Sequence, residues 1–162
     1  MQGFIMIKLE RILMPTDFSS SSENAMRYAV SFAKEYNAEL IVLHVVQEPH
    51  RLRRVTQKSA EEKIDKIIAA EIGVVKKAME QFVKDFGEEF KVKKLIKSGI
   101  PVVEIVESAK EENVDLIVMG THGQTGTRHA LIGSVAERVV RNAVCPVFTV
   151  KPLGFKFEMP YE

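Results

Sequence analysis

Short apolar runs alternate along this chain with longer stretches that carry an apolar residue every third or fourth position, which predicts strands and helices in turn. Arg11 to Met14 is an apolar run closed by Pro15, which has no amide to give to a sheet ladder and so marks a strand end. Ala25, Met26, Ala29, Val30, Ala33 and Tyr36 then recur at helical spacing behind Ser20, Ser21, Ser22 and Glu23, a capping-box pattern. This helix is expected to end near Asn37. Glu39 to Val46 is apolar almost throughout, as a strand covered on both faces is. Gln47 to Lys58 has no periodicity and carries four Lys or Arg, the pattern of a mobile surface loop. Ser59 with Glu62 reads as a second capping box, and Ile64, Ile67, Ile68, Ile72, Val75, Met79, Phe82, Val83 and Phe86 form the longest amphipathic stripe, closed by Gly87.

Phe90 to Lys97 is strand-like with lysines interspersed, as suits an edge strand that must not pair with strangers. Gly99 and Pro101 lead into a third helix with Val102, Val103, Ile105, Val106 and Ala109 as its expected buried face. Asp115 to Met119 is another buried-strand run, Gly133 and Ser134 open a last helix with Val135, Val139 and Val140 at helical intervals, and Pro146 to Val150 makes a fifth strand. Residues 153–162 read as a loose tail. A strand, a helix and a strand between residues 11 and 46 make a right-handed βαβ unit, hence a parallel sheet. Five strands alternating with four helices predict a single doubly wound, Rossmann-like α/β sheet. Its ligand is expected outside the carboxyl ends of the strands, where the winding reverses.

The stretch with the most chemistry follows Met119. Gly120, two residues, Gly123, nine residues, Gly133 and then Ser134 form a glycine loop between a strand and a helix. At a typical glycine frequency of about 7%, three glycines so spaced arise by chance in roughly one chain of this length in twenty, and fewer with the serine. The first amides of a helix lack intrahelical partners and carry the positive end of its dipole, so Gly133, Ser134 and Val135 could offer N–H groups to a phosphate. Gly120 and Gly123 bring the chain off the strand without a Cβ in the way, and the Ser134 hydroxyl could bond a phosphate oxygen or cap its own helix.

MGTHGQTGTRHALIGS resembles the Gly-x2-Gly-x9-Gly-Ser/Thr nucleotide motif of the universal stress protein family, in particular its ATP-binding branch, and ILMPTDFSSSSENAMRYA resembles that family's first strand and turn. The likeness spans about residues 8–152, taken as one domain. It implies strand order 3-2-1-4-5, which sets the turn of Pro15, Thr16 and Asp17 opposite the glycine loop. It also implies that Val45 and Met119 line an adenine pocket, that Gly99 and Pro101 close over the nucleoside, and that the fifth strand pairs across a two-fold dimer. The cofactors it implies are ATP or another adenine nucleotide, with Mg2+ or Mn2+. Where the family often has a second hydroxyl residue two places after Ser134, this chain has Ala136, so a phosphate contact is missing or replaced by backbone.

Several of these residues have plainer roles as well. Asp17 either caps the turn after the first strand or holds a ribose hydroxyl or, directly or through water, a divalent cation. His122 either donates to a phosphate or is solvated, and Arg128 and His129 either lend charge or are simply exposed. His44, inside an apolar strand, reads as a hydrogen-bonded core histidine before a ligand. Val45 and Met119, on their own, read as core.

Composition narrows the classes. The chain of 162 residues is 46% hydrophobic and 28% charged, enough for one core. Lys and Arg total 23 against 22 Asp and Glu, so no net field draws it to nucleic acid or an anionic membrane. Cys145 is the single cysteine, which excludes an internal disulfide and fits a reducing compartment. No apolar run is long enough to span a bilayer, and Phe4 to Ile7 is too short for a signal sequence. A cytoplasmic protein is expected. The loop lacks the lysine of a P-loop, and the sequence shows no partner that would tune Asp17 or His122, so binding is better supported than turnover. Three functions follow: an ATP-binding regulatory or stress-response module with an unidentified protein partner, a slow metal-dependent ATPase, and a nucleotide-free interaction protein of the same fold.

Overall fold

A computed structural model describes residues 6–47, 58–87, 89–123 and 132–154. Nine elements follow in order: β1 (Arg11–Pro15), α1 (Ser20–Tyr36), β2 (Glu39–Gln47), α2 (Lys58–Lys84), β3 (Val92–Gly99), α3 (Pro101–Glu111), β4 (Leu116–Gly120), α4 (Ser134–Asn142) and β5 (Val147–Val150). All neighbouring strands are parallel, in the order β3-β2-β1-β4-β5. This is the doubly wound sheet expected, with β3 and β5 at its edges.

Alternation along the inner strands divides the core. Ile12 and Met14 of β1 with Leu40 and Val42 of β2 meet Ala25, Met26 and Ala29 of α1 and Met79 and Phe82 of α2. Leu13, Ile41, Leu43, Ile117 and Met119 face the other way, onto Ile105 and Ala109 of α3 and Ala136 and Val139 of α4. Two helices therefore cover each face, which is why these strands read as unbroken apolar runs. Lysines on edge strand β3 are tied down, Lys93 to Glu112 at 2.7 Å and Lys97 to Glu111 at 2.6 Å.

Local rules account for most element ends. Asn37 closes α1 in the left-handed region at φ 51°, its N–H directed to the Ala33 and Lys34 carbonyls. Gly87, at φ 93°, follows the last turn of α2. Pro101 stands in the first turn of α3. The serine run behaves differently from expectation. Ser19 is the N-cap of α1 and its side chain accepts from the Ser22 amide, so Ser22 stands where the expected box would have put Glu23. Asp17 causes the shift by binding both the amide and the hydroxyl of Ser19. Likewise α2 begins at Lys58, before the Ser59 expected to cap it.

Four residues assigned to helical stripes point outward: Tyr36, Ile67, Val103 and Val140 are exposed. The last three lie on the flanks of their helices, beyond the arc that the sheet covers. Gln47 and Lys58 belong to β2 and α2, and the expected loop between them lies outside the described residues, as does the tail from residue 155. At the far end of the sheet the Asp115 carboxylate accepts from the Glu10 and Arg11 amides at 2.7 and 2.9 Å, fixing the start of β1 against β4. Burial, and then the charge of Asp115, push the nearby Cys145 thiol above its ordinary pKa. No helix among the described residues is long and apolar enough to cross a membrane.

The contact between α1 and β4 is close enough to test. A Cβ on Gly120 would lie 2.5 Å from Ser21 Oγ and 3.1 Å from the Ser21 carbonyl. Ser21 is 6% exposed, and its hydroxyl has no hydrogen-bond partner among the described residues. Gly120→Ala is therefore expected to destabilise the fold by about 1–3 kcal/mol in urea unfolding. Ser21→Ala, which removes a buried unpaired hydroxyl, should stay within about 1 kcal/mol of the wild type and recover part of the Gly120→Ala loss in the double variant. A double variant no better than Gly120→Ala would show that the hydroxyl is not the obstacle.

Candidate functional site

The winding reverses between β1 and β4, where a doubly wound sheet has a cleft outside the carboxyl ends of its strands, and the turns that leave these two strands form its sides. The first is built from small polar groups. The Thr16 amide continues the sheet by donating to the Leu43 carbonyl at 2.8 Å, and Thr16 Oγ1 accepts from the Phe18 amide at 3.0 Å. Asp17 Oδ1 accepts from the Ser19 amide at 3.0 Å, the Ser19 hydroxyl at 2.6 Å and the Ser22 hydroxyl at 2.5 Å. The capping role open to Asp17 is thus observed. Its second oxygen points across the cleft: a Cβ on Gly123 would sit 2.7 Å from Asp17 Oδ2.

Across the cleft, Thr121 ties the glycine loop together. It is 4% exposed. Its amide donates to the Val150 carbonyl at 2.9 Å, its carbonyl accepts from the Gly133 amide at 2.6 Å, and its hydroxyl pairs with His122 Nδ1 at 2.9 Å. One expectation is corrected here. The Gly133 amide, one of three proposed for an anion, is spent on Thr121, because the loop closes back on the strand before the helix starts. Gly133 is the N-cap of α4, without a side-chain cap, and Ser134 is the first helical residue, so its hydroxyl does not cap the helix. Ser134 is exposed, Val135 is half-buried, and Ala136 is packed into the core. The amides of Ser134 and Val135 lie in the first turn, where a helix has no internal partners for them. Arg128 and His129 lie outside the described residues.

On the β2 side, Val45 is half-buried at the margin of the core beneath α3, whereas Met119 is a core residue at 5% exposure. Gly99 ends β3 with φ 153° and is opposite Gln47. A Cβ there would lie 2.5 Å from Glu104 Oε1, so the turn into α3 at Pro101 passes close under that side chain. Pro15, Val45, Gly99, Met119 and Gly120 accordingly all stand at or near the carboxyl ends of their strands. Asp17, Gly123, His122 and Gly133 are drawn together about Thr121. Val45 and Gly99 lie to one side of that group, over β2 and β3.

Several contributors were not singled out from the sequence. Ser19 and Ser22 orient Asp17, Thr121 holds the loop, and Phe18 stacks on His44 with centroids 4.6 Å apart. The available signal was a hydroxyl residue beside each glycine or turn carboxylate, common enough in loops to be passed over. His44 is a hydrogen-bonded strand histidine as expected, Nδ1 lying 2.8 Å from the Thr16 carbonyl.

The loop glycines should differ in cost. A Cβ on Gly133 would meet the Thr121 carbonyl at 2.9 Å, a backbone atom already hydrogen-bonded, whereas one on Gly123 would meet, among the described residues, side-chain atoms of Asp17 and no backbone. Gly133→Ala is expected to lower unfolding stability by about 1–3 kcal/mol and Gly123→Ala by about 1 kcal/mol or less. The reverse order in denaturant melts would refute the tight closure of Gly133 onto Thr121.

The model of the universal stress protein family matches residues 8–151. Universal stress protein MJ0531 of Methanocaldococcus jannaschii is 37% identical over 142 residues, covering 88% of this chain and 82% of that protein. MJ0577 of the same organism, also a universal stress protein, is 36% identical over 156 residues, covering 90% and 96%. The solved structure of MJ0577 superimposes with a TM-score of 0.79 over 94% of this chain and 100% of its own. Two similar solved structures hold nucleotides. One is a universal stress protein in complex with cAMP, at TM-score 0.64 and 25% identity over 90% of this chain and 99% of its own. The other is the Archaeoglobus fulgidus universal stress protein in complex with dAMP, at 0.56 and 25%, over 90% and 100%. Matched almost from end to end, this chain belongs to the universal stress protein family.

Proposed function

We propose that this protein binds an adenine nucleotide in the cleft between β1 and β4, and that ATP binding makes it a regulatory, stress-responsive module. One observation carries the proposal: the Asp17 carboxylate, fixed through Oδ1 by Ser19 and Ser22, faces Gly123 of the glycine loop through Oδ2. A fixed carboxylate suits a ribose hydroxyl, and exposed Ser134 at the start of α4 suits a phosphate. Relatives of the same fold that hold cAMP and dAMP support the ligand class. Among the described residues no group of three His, Cys, Asp or Glu could hold a metal. Asp17 alone is no cage, so Mg2+ or Mn2+ would arrive on the phosphates, with Asp17 as a direct or water-mediated ligand.

Protein prepared without added nucleotide and then denatured should release an adenine nucleotide, resolved by chromatography. ATP near one per chain is expected for a binding module, and ADP would favour slow turnover. Titration should give micromolar or tighter binding with magnesium, weakened by about tenfold or more in Gly123→Val while the circular dichroism is retained. No binding at millimolar ATP would overturn the nucleotide reading and leave a nucleotide-free interaction protein.

We also propose a homodimer through β5. This strand ends the sheet, and Phe148 upon it is 38% exposed, beside Tyr28 of α1 at 45%, with centroids 5.6 Å apart. An open strand edge flanked by exposed aromatics is the kind of surface that a second copy covers. Light scattering should give the mass of two chains, and Phe148→Lys should shift it toward one. A wild-type monomer at micromolar concentration would refute the dimer.

A further inference from the structure

The peptide between Thr16 and Asp17 is held from both sides. Its N–H, on Asp17, donates to Ser22 Oγ at 3.2 Å, and its carbonyl, on Thr16, lies 2.8 Å from His44 Nδ1. A carbonyl oxygen only accepts, so Nδ1 carries the proton. The next residue is held by the same side chain. Phe18 lies flat on the His44 ring at 14°, with Phe82 edge-on at 5.5 Å on another side. Phe18 adopts φ 61°, a conformation a bulky residue takes only when its surroundings enforce it. Asp17 thus stands between two points, the Thr16 carbonyl and the Phe18 ring, that both rest on one histidine of the neighbouring strand.

From this geometry we infer that His44 is a positioning residue for the nucleotide site: its Nδ1–H, by holding the Thr16 carbonyl, sets the direction of the Asp17 carboxylate toward the glycine loop. The proposal rests on the nucleotide-binding reading above and adds to it a residue that touches no ligand. The stack on Phe18 is a consequence of where the ring sits, whereas the hydrogen bond does the orienting. A peptide plane released at its carbonyl can rotate, and with it the Cα–Cβ direction of Asp17. The Ser19 and Ser22 hydroxyls hold Oδ1 from the start of α1, while the His44 bond holds the backbone from which the carboxylate projects.

Two substitutions separate the hydrogen bond from the ring. His44→Asn keeps an N–H at the position of Nδ1 and loses the ring, while His44→Phe keeps a stacking ring and loses the donor. Amide hydrogen exchange in protein stripped of nucleotide reads the turn directly. His44→Phe is expected to speed exchange at Asp17 by about tenfold or more while β4 amides are unchanged, and His44→Asn to stay within about threefold of the wild type. ATP with magnesium should then bind His44→Phe about tenfold more weakly, with His44→Asn again close to the wild type. Unchanged exchange in His44→Phe, equal losses in both variants, or faster exchange with unchanged affinity would each overturn the proposal. If His44→Phe does not fold, the nitrogen chemical shift of His44 in the wild type decides the contact, since an unprotonated Nδ1 at neutral pH overturns it. Should the wild type bind no nucleotide, the nucleotide reading fails by itself, and exchange at Asp17 still reports whether His44 holds the turn.

Discussion

A parallel sheet buried on both faces must be covered by helices on both faces, and one chain can do that only by reversing the direction in which it winds. In this protein the reversal falls between β1 and β4, the two strands at the centre of the order β3-β2-β1-β4-β5. Every crossover up to β3 leads outward on one side and those to β4 and β5 on the other, so the turns leaving β1 and β4 diverge and leave a cleft between them. The cleft is a product of topology before any side chain is placed. What the sequence adds is the means of keeping its two walls close without filling it.

Those means are steric and polar together. The walls approach so closely that a methyl group on Gly120 would meet Ser21 inside van der Waals distance, and within the β4 side one on Gly133 would meet the Thr121 carbonyl. Main-chain groups at such a crossing are removed from water and need partners, and here Thr121 supplies several. Its amide reaches β5, its carbonyl reaches the cap of α4, and its hydroxyl reaches His122. The glycines are therefore explained first by protein meeting protein. On the proposed reading, room for a phosphate is a second consequence of the same missing side chains, left by the Gly133 amide, which donates to Thr121, to the first residues of the helix behind it.

Most of the fold was legible because strands covered on both faces leave unbroken apolar runs such as Leu40 to Leu43, and helices leave stripes such as Ala25, Met26 and Ala29. Strand order was not so legible. Periodicity says nothing of which strands are neighbours, and the order came from a family likeness carried by the glycine spacing. Errors fell at the edges of these rules. Ile67, Val103 and Val140 fit a helical stripe but lie past its covered arc, since periodicity gives a direction and not a width. The expected box at Ser20 slipped by one residue because a capping pattern cannot register that Asp17, outside it, already holds Ser19. Thr121, Phe18 and His44 gain their roles from contacts between elements. No local pattern in sequence reports those.

Capping and ligand binding were weighed as alternatives for Asp17, yet in the folded chain one carboxylate can serve both. Its two oxygens face different directions. Oδ1 is committed to the serines that begin α1, and Oδ2 faces Gly123 across the cleft. Holding the first oxygen restricts the rotation of the second, so the conformational cost of aiming a carboxylate is met by folding and not at the moment of binding. A free carboxylate at the same position would have to be ordered by its ligand. Under the proposed nucleotide reading, the serine run after the first strand, which reads as a helix start, belongs to the site as well.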